Sequence, residues 1–253
     1  MTALPNFREY LTTASHEAST VSIAGDFLPG SFQPPATHTI QLAPAWTSAQ
    51  SPLSAEAKGR GSISRQNLSD LAQTVRAGNE SWTQLLIHRF GWGWGGTALG
   101  PSRLARVLEA NDSPMIEGNL ANAVGTLDTS GAVAAYWDLN NRSRLHLKHL
   151  GPAFFTKFLY FSGAGGPNNA PPPLILDKIV ARRICTLISQ ERRLATGGWT
   201  TRDYAFYLAL MLRVARHLNI RDDTDQWSPD AVELGIFKPR PFDPADQGDA
   251  SKS

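Results

Sequence analysis

Cysteine is nearly absent: Cys185 is the only one in 253 residues. An internal disulfide is therefore excluded, and so is a four-cysteine iron–sulfur cluster. A single free thiol fits a reducing compartment. Long apolar runs are missing too, so no transmembrane helix is expected. The opening MTALPNFREYLTTASHEAST has no apolar centre of the signal-peptide kind, and the expected location is the cytoplasm. No internal repeat is found. His146 and His149, three apart, have no carboxylate or cysteine beside them in sequence, so no metal site and no cofactor is expected.

What is present is enough apolar material for a sizeable core, at 42% of the chain, in a length that suits one large domain or two small ones. The net charge of +2 conceals a strong asymmetry. Residues 141–220 hold twelve Lys/Arg against three acids, an excess of +9, which leaves −7 for the remainder. A basic block of that size fits a polyanion, because phosphates neutralised by Lys and Arg release counterions and drive binding. It equally fits a solvated, arginine-rich helical surface.

Residues 1–61 are rich in Ser, Thr, Ala and Pro and read as an irregular N-terminal subdomain. Short alternating pieces at 20–23 and 38–42 have the pattern of edge strands. From Ser64 onward the spacing turns helical, with apolar residues at 68, 71, 72 and 75 and Ser62 or Ser64 as the cap. A second helix is expected over 82–90, ending in the run Gly91-Trp92-Gly93-Trp94-Gly95-Gly96. Further helices are expected over 102–110, 116–124, 131–139, 174–194, 200–218 and 228–237. The expected fold is mainly α, with a helical body over 62–237 and an unstructured tail over 238–253.

The stretch from Ser143 to Arg193 organises the rest. Two helix-like runs flank the turn Leu150-Gly151-Pro152, and Lys157 lies early in the second run. A Gly/Pro-rich loop, 163–173, then leads to Asp177 at the mouth of a third helix. Helix, hairpin, helix, Gly/Pro loop and Asp is an order that resembles the HhH-GPD superfamily of DNA glycosylases. Thr156-Lys157 followed by Asp177 looks most like its 8-oxoguanine DNA glycosylase branch. The turn departs from the family pattern, since Ala153 and Phe155 stand near the places of two hairpin glycines.

The resemblance implies an enzyme that flips a modified or damaged base out of double-stranded DNA and excises it, acting as a monomer. Lys157 would attack C1′ of the nucleotide and Asp177 would support that step, with Schiff-base strand cleavage as a further consequence. Read from the residues alone, Lys157 is as well a lysine on one solvated stripe of an apolar helix, and Asp177 a good helix cap. Candidates for holding DNA are Gly151 and Pro152 at the turn, Arg142, Arg144 and Lys148 before it, and Thr156. Trp92, Trp94 and Phe155 are candidates for the base pocket or a wedge, within a wider aromatic set of Tyr136, Trp137, Phe154, Tyr160, Trp199, Tyr204 and Tyr207. For Trp92 and Trp94 the plainer reading is a pair of core anchors. The biological settings that fit are 8-oxoguanine repair and defence against phage DNA carrying modified bases. A non-catalytic DNA-binding module and a helical protein-interaction domain are the competing classes.

Overall fold

The structure, a computed structural model, describes residues 34–140, 143–167, 171–187, 194 and 197–237. The expected strand at 20–23, Arg142 and the tail at 238–253 lie outside the described residues. The chain is mainly α, as its hydrophobic spacing implies. A two-stranded ribbon comes first, with β1 (Thr39–Gln41) antiparallel to β2 (Ser62–Ser64) and Ile40 opposite Ile63. Between the strands lie two short helices, α1 (Pro44–Thr47) and α2 (Ala55–Arg60).

Nine helices follow among the described residues. They are α3 (Arg65–Arg76), α4 (Trp82–Trp94), α5 (Leu99–Glu109), α6 (Ser113–Ser130), α7 (Ala132–Leu139), α8 (Pro152–Ser162), α9 (Lys178–Leu187), α10 (Thr201–Asp222) and α11 (Pro229–Phe237). Helix α3 starts where the sequence places it. The Ser64 hydroxyl accepts from Asn67 N–H and the Asn67 side chain accepts from Ser64 N–H, a reciprocal cap that fixes the strand-to-helix corner. The start of α4 is held by Ser81 and by Glu117, whose carboxylate accepts from the N–H groups of Trp82 and Thr83 at 2.9 Å. A negative group at that end also complements the helix dipole.

Helices α4 and α8 and the 204–211 stretch of α10 are buried on almost every side and form the centre of the core. No helix among the described residues is long and apolar enough to cross a membrane.

Three expectations are corrected. The glycine-tryptophan run is not a loop: α4 continues through Trp94. Its glycines cost helix propensity but permit close approach, and a Cβ on Gly93 would already touch the Lys157 stem at 3.4 Å. Second, 143–149 is not a helix. It is a succession of turns after α7 that buries Leu145, Leu147 and Leu150, with His149 at φ 65 and the backbone of Lys148 held by the Asn111 amide. Asparagine can serve both the N–H and the C=O of one residue, which makes a helix unnecessary there. His146 and His149 therefore do not share a helical face. Third, 174–177 is extended, and the helix starts only at Lys178. The apolar residues at 174–176 are buried as a strand-like segment and not as a helical stripe.

Candidate active site

Lys157 and Asp177 meet. Lys157 Nζ donates to Asp177 Oδ2 at 2.9 Å and to the carbonyl of Ala153 at 3.3 Å. Lys157 is only 8% exposed although its helix carries four phenylalanines, Phe154, Phe155, Phe158 and Phe161. The solvated-stripe reading is thereby excluded: the ammonium is turned inward, onto a carboxylate. Asp177 caps α9, its Oδ1 accepting from the N–H groups of Ile179 and Val180 at 3.0 and 3.1 Å. The cap and the ion pair thus use different oxygens of one carboxylate.

Burial pushes the Asp177 carboxyl up, but the Lys157 charge and hydrogen bond, joined by the two N–H groups, outweigh it. The net result is a carboxyl held below its ordinary range, ionised at neutral pH.

The extended segment before Asp177 is what aims it. Its backbone groups have no helix or sheet to satisfy them, and buried N–H and C=O groups need partners. Three hydroxyls supply them. Tyr204 accepts from Leu174 N–H at 3.2 Å and donates to its carbonyl at 3.0 Å, while Tyr207 donates to the Ile175 carbonyl at 2.7 Å. Thr156 accepts from Leu176 N–H at 3.2 Å and donates to the carbonyls of Pro152 and Leu176. Thr156 and Lys157 are neighbours on α8, so one helix both carries the amine and fixes the strand that carries the carboxylate. Burial raises the proton affinity of both tyrosines, which keeps them as donors.

This corrects the expected roles of several residues. Thr156 is fully buried and ties α8 to the 174–177 segment. Tyr204 and Tyr207 are clamps, not pocket aromatics. Phe155 packs its ring on Tyr136 at 4.9 Å, inside the core, and is not among the residues that line the cavity beside Lys157 and Asp177. Gly151 is the N-cap of α8 with Pro152 at its first position, and a side chain at Gly151 would meet nothing within 4 Å. The turn is therefore open to a close partner. Arg144 and Lys148 are exposed beside it, Arg144 leaning on Asp138 at 3.1 Å.

A cavity of about 710 Å³ opens in front of the pair. Trp92, Trp94 and Phe154 line it, with Gly93 between the tryptophans and Arg103, Lys178 and Ile179 toward its rim. Trp92 is 4% exposed, so the core-anchor reading and the cavity reading both hold for it: the ring is packed between His38 and Phe161 and still forms wall. Half-buried Trp94 stacks parallel to Phe154 at 6.2 Å, with the Arg103 guanidinium 5.3 Å from its ring. The lining also includes His38, Arg65, Glu233 and Phe237, none of which the sequence pattern singled out. Among the described residues no group of three or more His, Cys, Asp or Glu is placed to hold a metal.

One comparison gives a match. The model of the family described as "Putative 8-oxoguanine DNA glycosylase OGG-like protein" covers residues 33–237. No curated protein and no solved structure matches the chain.

Proposed function

The chain belongs to this OGG-like family, and from that premise we propose that it is a DNA glycosylase that removes a modified or damaged base from double-stranded DNA. The observation that carries the reading is the 2.9 Å contact between Lys157 and Asp177 at the wall of an aromatic cavity. A buried lysine–carboxylate pair is poor evidence of stability, since desolvation cancels much of its attraction. Facing a cavity of the size that small-molecule sites have, it is better explained as chemistry.

The target nucleotide leaves the stack and its base enters between Trp92 and the Trp94–Phe154 pair. Departure of the base with the bonding electrons leaves positive charge on the sugar, and the ionised Asp177 is placed to stabilise it. The Lys157 proton passes to the departing base, the freed amine adds to C1′, and the sugar ring opens as the C1′–O4′ bond breaks and a second amine proton moves to O4′; the resulting Schiff base would undergo β-elimination that cuts the 3′ side of the strand. Gly151, Pro152, Arg144 and Lys148 hold the phosphates, the first two through the open turn and the start of α8.

Mass spectrometry of bases freed by the purified protein tests this. The substrates are an 8-oxoguanine duplex and genomic DNAs carrying modified pyrimidines. Release of 8-oxoguanine places the protein in repair, and release of a modified pyrimidine alone places it in defence against phage DNA. No release from any of them, with salt-sensitive DNA binding retained, refutes the enzyme and leaves a binding module.

A further inference from the structure

The cavity wall holds a second buried ion pair that the proposed chemistry does not use. Arg65 of α3 and Glu233 of α11 meet at 2.9 Å, and the two are 2% and 0% exposed. The Arg65 guanidinium lies 5.3 Å from the Trp92 ring and 5.0 Å from the Tyr160 ring, and it donates to the Tyr160 hydroxyl at 3.2 Å, while its buried Nε has no hydrogen-bond partner. Only Glu233 Oε2 is engaged by it. Glu233 Oε1 accepts no hydrogen bond, although it is closed to water. A buried ion pair recovers its desolvation cost only when its remaining lone pairs are satisfied, and an orphaned buried oxygen keeps its full desolvation penalty. That cost sits in the wall of the substrate cavity, where a ligand can remove it.

We propose that Glu233 determines base specificity, its free Oε1 accepting an N–H from the hydrogen-bonding edge of the flipped base while Arg65 holds the carboxyl in place. The inference rests on the glycosylase reading above. It names the substrate class by chemistry: a base that carries an N–H donor on that edge, as a ring lactam or an exocyclic amine does. Contact needs a small movement of the wall, of the side-chain kind that binding commonly brings. Burial pushes the Glu233 carboxyl up against the pull of Arg65, and the nearby Asp177 charge adds to the rise. A group so disfavoured as a lone anion gains most from a donor.

The test compares kcat/KM for the base that the parent releases fastest with an isosteric counterpart bearing C–H in place of that N–H. The parent should prefer the N–H base by at least roughly 100-fold, since sites built around a hydrogen bond reject analogues that lack it. Glu233→Gln is nearly isosteric. Arg65 is a donor and will hold the amide oxygen, which turns the amide NH2 toward the base, donor against donor. The preference should then fall to within about threefold or reverse. Affinity for a duplex carrying a tetrahydrofuran abasic analogue, which has no base to read, should stay within about threefold of the parent.

Equal rates for the two bases in the parent overturn the proposal without any variant. An unchanged preference in Glu233→Gln overturns it as well. Parallel loss of abasic-duplex affinity makes Glu233 a structural tie between α3 and α11. No release of any base by the parent is a failure of the glycosylase reading itself, and the specificity role falls with it.

Discussion

Asp177 performs two tasks with two oxygens, and substitution can separate them. In Asp177→Asn the amide oxygen still accepts from Ile179 and Val180, and Asn caps helices as well as Asp does. What is lost is the charge facing Lys157. Because the one amide oxygen is engaged by the cap, the NH2 faces the ammonium, donor against donor, so the expected loss is that of breaking a buried ion pair, about 3–5 kcal/mol. Asp177→Ala loses the full pair and the cap, which adds about 1 kcal/mol. Urea unfolding at pH 7, followed by tryptophan fluorescence, measures both.

The pH dependence supplies a check on cause. Because the folded state holds this carboxyl below its ordinary range, the unfolded chain binds more protons as the solution turns acid. The contribution is complete above the ordinary carboxylate range and disappears as the pH falls through the lower folded-state value. The stability gap between parent and Asp177→Asn should therefore close in acid. Base release should fall at least roughly 100-fold in Asp177→Asn, the scale for removing one preorganised electrostatic group, with DNA affinity within a few fold. Equal destabilisation by Asn and Ala, a gap that persists unchanged in acid, or base release at the parental rate would refute the reasoning.

Lys157→Ala should abolish borohydride trapping of a covalent DNA complex, read as a shifted band on a denaturing gel. Thr156→Val keeps the shape but orphans Leu176 N–H; it should cost about 1–3 kcal/mol in urea unfolding and slow base release, because the strand carrying Asp177 loses a tie. Arg89 is fully buried, has no hydrogen bond at any guanidinium nitrogen and lies 4.0 Å from the Phe90 ring, while burial lowers its proton affinity. Arg89→Met should therefore raise stability, by about 1–4 kcal/mol in the same assay. Gly100→Val should cost at least about 1–3 kcal/mol, because a Cβ there would lie 2.5 Å from the Trp46 ring; an unchanged unfolding midpoint would show that Trp46 gives way.

How much of this was legible in the sequence depends on the distance over which each contact acts. The α3 cap, the helices from α5 to α7 and the final two helices follow from local spacing and caps, which short windows record. The three misread segments share one cause: tertiary contacts overrode local preference. Gly91 and Gly95 look like a loop until Ile63 and Leu53, and Leu42 and Ile40, are seen to crowd the space that side chains there would fill. The leucines at 145, 147 and 150 look helical until Asn111 is seen to hold Lys148. The 174–176 run looks like the start of a helix until Tyr204, Tyr207 and Thr156 are seen to claim its backbone.

The same argument separates the two ion pairs of the cavity. Lys157 and Asp177 are 20 residues apart, within one helix–loop–helix unit, so a motif of ordinary length contains both. Arg65 and Glu233 are 168 residues apart, and no local pattern relates them. Yet one half carried a signal of its own. Glu233 is a lone acid in the run Ala231-Val232-Glu233-Leu234-Gly235-Ile236, where every neighbour is apolar. Glutamate is almost never fully buried unless it is paired, so a carboxylate in that position requires a cation from elsewhere in the chain. Arg65, directly after the Ser64 cap, gives no such hint, because arginine at the start of a helix ordinarily lies in water. The acid side of a distant buried pair was thus detectable from sequence, and its partner only from the fold. The unsatisfied Oε1 adds what neither partner explains, a buried acceptor without a hydrogen bond on a residue of the cavity wall.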